Sequence, residues 1–310
     1  MPDNFLTSDA LLASKQSATD WVAPNLLPVG VAILAGAPKI GKSWLALQIA
    51  RAVAAGEPLF GEPVARGRVL YLALEDTPVR LQERLARQAW PEGVEAEFML
   101  LPHLTVQFSG PRDERVIWLA SHMPKRGYRL VVVDTLSHFL TGFQGGMTPI
   151  SSSLLLLQLA TQRMRCAVLL IDHHRKHTEE DVVADLAGST MKGATADTTI
   201  GLYRQRGRGS ARLSVTGRDV AERTLALKMD WETGCWQYLG EAEEVELGER
   251  KQEILEALKE MKRSTVAEIS RAVRQDPSNT RKRVQQLLEA GLIRRERGGY
   301  VLTRKATRPT

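Results

Sequence analysis

Between about residues 30 and 240, short runs that are apolar at every position alternate with longer stretches of helical period. The runs are V-A-I-L-A (31–35), R-V-L-Y-L-A-L (68–74), L-V-V-V-D (130–134), A-V-L-L-I-D (167–172) and T-T-I-G-L-Y (198–203). The helical stretches between the first four are 44–55, 79–90, 112–126 and 152–165. Strands without a polar face, separated by amphipathic helices, predict a mostly parallel sheet covered on both sides. A-R-L-S-V-T, T-L-A-L-K-M-D-W and C-W-Q-Y-L then alternate with period two and predict an antiparallel meander. Residues 1–29 read as an N-terminal arm whose Pro-punctuated end, W-V-A-P-N-L-L-P, packs across the domain that follows.

A second pattern follows the meander. G-E-A-E-E-V-E-L-G is acidic and lacks core positions, so 241–249 read as a linker. Residues 250–261 carry Ile254, Leu255 and Leu258 on one helical face. Ser264 or Thr265 caps a second helix with Val266, Ile269 and Val273 inside. Asp276 or Ser278 starts a third, which runs to about Ala290 and stops at Gly291; I-R-R-E-R-G-G-Y-V-L reads as a hairpin turning at Gly298-Gly299. Three helices and a basic hairpin over 250–305 look like a winged helix, with 306–310 as a tail. The expected fold class is therefore α/β, with a small C-terminal winged-helix domain.

Composition narrows this little. The chain has 310 residues, 43% apolar and 25% charged, as in ordinary globular proteins. No run approaches the roughly 18 apolar residues of a membrane span, and no basic region precedes an apolar signal core, so no membrane partner and a cytoplasmic location are expected. Cys166 and Cys235 both sit among apolar neighbours and read as small core residues, not as a disulfide. The net charge of +6 is uneven. In the last fifty residues Arg and Lys outnumber Asp and Glu roughly three to one, which points to a polyanionic partner.

The strongest local signal is G-A-P-K-I-G-K-S (36–43), a complete G-x-x-x-x-G-K-[ST] pattern between a buried strand and a helix. Gly36 and Gly41 let the backbone form a nest of N–H groups, and the following helix adds its positive end. Lys42 reaches β- and γ-phosphates, and Ser43 offers a hydroxyl to Mg²⁺. Gly36, Ala37, Pro38, Lys39, Ile40, Gly41, Lys42, Ser43 and the adjacent Trp44 are thus the candidate ATP-binding residues. Three strand ends supply polar groups at the same sheet edge. Asp134 closes L-V-V-V-D and suits Mg²⁺, alongside Ser43. Glu75 closes L-Y-L-A-L-E-D and is placed to deprotonate the attacking water; Asp76 suits the cap of the next helix. In L-L-I-D-H-H, His173, and after it His174, are candidates to contact the γ-phosphate.

In this order the motifs resemble the RecA/DnaB-type ATPases, and most nearly the RepA-like hexameric replicative helicases of plasmids and mobile elements. The resemblance covers about 21–240 and includes W-V-A-P-N-L-L-P-V-G, A-G-S-T-M-K-G-A-T-A-D, and L-Y-R-Q-R followed by V-T-G-R-D-V. It implies a RecA-like P-loop core over 30–240, with rings that hold ATP between subunits. One subunit then supplies the P-loop and the next a basic residue. DnaB-type relatives carry that residue in a K-x-R pattern. R-Q-R (204–206) stands in its place, making Arg206 the candidate finger and Arg204 its assistant, with Arg for Lys at 204 a change of geometry more than of charge. The flanking Arg208 leaves the choice among the three open. The resemblance also puts DNA-contacting loops at 141–149 and 175–192, where Arg175, Lys176 and Lys192 stand among acids.

The winged-helix pattern adds its own DNA candidates. Ser278, Asn279, Arg281, Lys282 and Gln285 fall on one exposed flank, and Arg294, Arg295 and Arg297 decorate the wing. Arg and Lys hold phosphates; Asn and Gln also read base edges. The expected protein is a homo-oligomeric, DNA-dependent ATPase, with single-stranded DNA through the ring and duplex on the winged helix. An ATP-gated DNA-binding regulator and a recombination or repair mediator are the alternatives.

Overall fold

The computed structural model describes residues 7–13, 19–108, 112–140, 150–174, 183–186, 195–204, 209–303 and 305–306. It divides into two compact units, Met1–Leu239 and Gly240–Thr310. The first opens with helix α1 (Ser8–Ala13) and a two-stranded antiparallel ribbon, β1 (Trp21–Ala23) and β2 (Leu27–Pro28). Val22, Ala23, Leu26 and Leu27 are buried in the main core, so this part of the expected arm belongs to the first unit.

The main elements then follow in order: β3 (Gly30–Gly36), α2 (Lys42–Ala55), β4 (Arg68–Ala73), α3 (Pro78–Arg87), β5 (Ala96–Leu100), α4 (Leu101–Gln107), α5 (Arg112–Arg126), β6 (Tyr128–Asp134), α6 (Leu136–Leu140), α7 (Ile150–Met164), β7 (Ala167–His173), β8 (Thr198–Tyr203), β9 (Ser210–Gly217), β10 (Arg223–Asp230) and β11 (Cys235–Glu241). Among the described residues they build one nine-stranded sheet of order β11-β10-β9-β8-β3-β7-β6-β4-β5. From β8 through β5 every pairing is parallel, and β8–β9 and β9–β10 are antiparallel. The all-apolar runs are explained by burial on both faces. Ala32 and Leu34 of β3, Leu130 and Val132 of β6, and Leu169 and Ile171 of β7 face one core with α2. Their alternates Val31, Ile33, Val131, Val133, Val168 and Leu170 face a second core with α5 and α7. The edge strand β5 has no fully buried residue, and Glu97 interrupts its apolar positions, which is why its pattern does not stand out.

The second unit is helix α8 (Ala242–Met261), helix α9 (Val266–Ala272), helix α10 (Pro277–Glu289) and the hairpin β12 (Ile293–Glu296) and β13 (Gly299–Leu302). Its own core holds Ile254, Leu258, Ile269, Val284, Leu287 and Ile293. Thr265 is the cap of α9, in a reciprocal box with Glu268, and Asp276 caps α10 by accepting from Ser278 and Asn279 N–H. Glu296 pairs with Gly299, so the hairpin turns at Arg297-Gly298, one place earlier than expected. The acidic stretch read as a linker over 241–249 is instead the first half of α8. Glu243 and Glu244 lie in the helix's first turn, where acids are favoured by its positive end. No helix among the described residues is long and apolar enough to cross a membrane, and Cys166 and Cys235 are free thiols, the first buried and the second half-buried.

Gly248 is exposed inside α8, and a Cβ there meets nothing within 4 Å. Gly248→Ala should therefore stabilise a 240–310 fragment by about 1 kcal/mol, read from thermal melting by circular dichroism. A flexible 241–249 segment would leave the melt unchanged.

Candidate functional site

Sheet register brings the signals together. Gly36 at the end of β3 is opposite His173 on β7, and Asp134 at the end of β6 is opposite Ala73, two residues before Glu75. The carboxyl ends of four parallel strands thus meet at one edge. There they border a cleft of ≈ 410 Å³ with Lys42, Ser43, Glu75, Asp134, Thr135 and His173 among its walls. Pro38, Lys39, Gly41 and Trp44 also line it.

The loop geometry explains its glycines. A Cβ on Gly36 would lie 2.9 Å from the Leu202 carbonyl oxygen. Gly41 is left-handed (φ 108°) and a Cβ there would lie 2.7 Å from the Trp236 ring, whose Nε1 donates to Gly41 O at 3.2 Å. Buried Ile40 anchors the loop to the core, leaving Ala37, Pro38 and Lys39 exposed. Gly36, Ala37 and Ile40 do not border the cleft themselves.

Lys42 turns back on the loop. Its Nζ donates to Gly36 O at 2.8 Å and Ala37 O at 2.9 Å, with His173 Nδ1 at 3.5 Å. Burial lowers the Lys42 ammonium to about 8, against the pull of Asp134, Glu75 and Asp172. His173 is held below the ordinary imidazole range, first by burial and then by the Lys42 charge. Asp134 is 2% exposed. Burial raises its carboxyl to about 6, while the hydroxyls of Ser43 and Tyr71 favour the carboxylate. Tyr71 Oη donates to Oδ2 at 2.8 Å, but Oδ1 is buried with no hydrogen bond to a described residue.

That orphaned oxygen and the Ser43 hydroxyl, which stands against the same carboxylate, are a fitting ligand pair for Mg²⁺. No group of three or more His, Cys, Asp and Glu among the described residues forms a cage, so phosphate oxygens and water must supply the rest of the shell.

Glu75 is half-exposed at the cleft. Its Oε1 accepts from Thr135 Oγ1 at 2.8 Å and lies 3.1 Å from His138 Nδ1. Thr135 Oγ1 also reaches Ser137 Oγ at 2.8 Å and His138 Nδ1 at 3.1 Å. These partners escape sequence reasoning, since a hydroxyl after a strand-end Asp carries no pattern of its own. Asp76 does not cap α3; Thr77 does, accepting from the Arg80 N–H. Asp76 instead pairs with Arg84 at 2.6 Å, and burial raises its pKa despite that pair.

Two candidates are placed elsewhere. His174 points away from the cleft: its ring lies 4.8 Å from that of Tyr203, and burial lowers it to about 4. Successive residues of a strand face opposite sides, so only one of the two histidines reaches the phosphate edge. Arg204 has its guanidinium 4.9 Å above the ring of Trp231, a cleft residue of the same chain. Arg206, Arg208, Arg175, Lys176, Lys192 and the loop 141–149 lie outside the described residues. In the second unit, Asn279, Arg281 and Lys282 on α10 and Arg295 on β12 are all exposed.

Fold and site together define a P-loop ATPase of the RecA-like α/β class, whose cleft is shaped for a nucleoside triphosphate. The chain belongs to the AAA domain family (AAA_25), whose model matches residues 2–179. A second family model, described only as HVO_A0114, matches residues 246–304. Among solved structures, the KaiC-like protein PH0186 from the hyperthermophilic archaeon Pyrococcus horikoshii OT3 is similar over 72% of this chain and 98% of its own, at 14% identity and TM-score 0.50. The RadB recombinase is similar over 68% of this chain and 91% of its own, at 19% identity and TM-score 0.48.

Asp134 yields a stability prediction. With a folded pKa of about 6 against an ordinary 3.8, the folded carboxyl keeps its proton where the unfolded one has lost it. Stability from this group is present below about pH 4, falls as pH rises to about 6, and stays lost above. Metal-free Asp134→Asn should therefore be more stable than the parent at pH 8, by about 3 kcal/mol at most, with no advantage at pH 4. Denaturant midpoints at the two pH values measure it; a uniform loss would mean that Asp134 is not strained by burial.

Proposed function

We propose that this chain is a ring-forming, DNA-dependent ATPase, a RepA-like replicative DNA helicase that hydrolyses ATP between subunits. The observation that carries the reading is the convergence of Lys42, Ser43, Glu75, Asp134 and His173 on one open cleft. Lys42 and the loop N–H groups hold the triphosphate, and Ser43 and Asp134 would hold Mg²⁺, which when bound neutralises charge between β- and γ-phosphates. Glu75, fixed by Thr135, takes the proton of the attacking water, and His173 contacts the γ-phosphate. Arg204 is engaged by its own chain's Trp231, so Arg206 is the better candidate for the finger supplied to a neighbour.

The DNA half of the proposal rests on the second unit, read as a winged helix. Arg281, Lys282 and Arg295 are exposed without an ion pair to a described residue, beside Asn279 at the start of α10. Arg294, in contrast, pairs with Glu296 at 2.7 Å. The same flank supports a second reading, an ATP-gated DNA-binding regulator. Sequence-specific duplex binding by a 240–310 fragment, with no unwinding by the full chain, would favour it.

The test is ATPase rate with and without single-stranded DNA, taken with light-scattering mass and unwinding of a forked duplex. The expected result is a DNA-stimulated oligomer that separates strands, with all activity lost in Lys42→Ala. Glu75→Gln should lower kcat by about 10²- to 10⁴-fold while still binding ATP. A DNA-insensitive monomer would overturn the helicase reading, and an active Glu75→Gln the assigned base.

A further inference from the structure

The geometry points to a nucleobase subsite formed by Trp231, which Arg204 supports, an inference that rests on the ATPase reading and extends it to the base. Trp231 is 50% exposed, and it borders the same cleft as Lys42 and Glu75. A large aromatic half in water at the wall of a nucleotide cleft is not explained by the core, which it does not join.

The residue is held in place from several sides. It lies in the turn between β10 and β11, where Asp230 Oδ1 accepts from Glu232 N–H at 2.9 Å and Asp230 O from Gly234 N–H at 2.8 Å. Gln88 Nε2 donates both to Gly234 O and to Trp44 O, at 2.9 Å each, tying the turn to the residue after Ser43. Gly234 is left-handed (φ 67°) and a Cβ there would fall 2.2 Å from the Trp44 ring, so the turn sits flush on the start of α2. The indole is therefore fixed relative to the phosphate loop.

Arg204 backs the indole. Its guanidinium lies over the indole, yet Nε and Nη1 are buried with no hydrogen bond to a described residue. A half-exposed flat indole on the cleft wall, with a guanidinium held against it, matches a heteroaromatic base, which has a π face for stacking. The larger purine ring covers more indole than a pyrimidine, so the subsite selects purine nucleoside triphosphates.

Equilibrium binding of ATP, CTP and inorganic tripolyphosphate to the full chain, its Trp231→Ala and its Trp231→Phe variants tests this. Trp231→Ala should weaken ATP about 5- to 150-fold, the loss typical of removing one base–aromatic stack. It should weaken CTP less and leave tripolyphosphate unchanged, and Trp231→Phe should keep most of the ATP affinity. Unaltered ATP binding in Trp231→Ala overturns the subsite, as does an equal loss of ATP and tripolyphosphate, which would make the turn a mere support of the loop. Parent protein that binds neither ligand overturns the ATPase reading itself.

Discussion

The position of β3 between β7 and β8 governs the whole site. Its parallel pairing puts Gly36 level with His173 on one side and Leu202 on the other. The chain must leave the sheet there, under Ile40 and over Trp236, and re-enter as α2 with Lys42 at its first position. A slip of one residue would exchange the two cores and turn Lys42 and Ser43 away from Asp134. The two-sided burial of β3, β6 and β7 makes such a slip costly, so the hydrophobic cores are what fix the distances at the catalytic edge.

Within that frame the cleft is electrostatically uncomfortable. Lys42 is buried and lowered to about 8, Asp134 is buried and raised to about 6, and neither has the other as a hydrogen-bond partner. Each makes do with neutral groups of the chain: carbonyls for the ammonium, a tyrosine hydroxyl for the carboxylate. A triphosphate with a divalent cation supplies opposite charge to both at once. Burying both charges costs stability, and a magnesium nucleotide has the charge pattern that offsets that cost.

How much of this could be read in the sequence follows from how local each feature is. The phosphate loop is legible because its glycines are demanded by its own backbone and close contacts, and the strand ends because sheet burial forces unbroken apolar runs. Glu75, Asp134 and His173 inherit legibility from those runs. Trp231, Trp236, Thr135 and His138 do not, since their roles depend on elements far apart in the chain meeting at the edge. The acidic start of α8 misreads as a linker because an exposed helical face buries little and so leaves no apolar period. His174 misreads because two adjacent histidines look equivalent until the pleat sends them to opposite faces.

Arg204 shows how one packing contact divides roles among neighbouring arginines. A basic residue meant for another subunit's phosphate must stay clear of its own cleft, whereas Arg204 lies on an indole that walls that cleft. Its guanidinium is partly desolvated, and burial lowers its pKa, so moving it away would give up the cation–π contact for water. The arrangement makes Arg204 a support of the cleft wall. On the proposed ring reading, the role between subunits then falls to Arg206 or Arg208, only two and four residues further along.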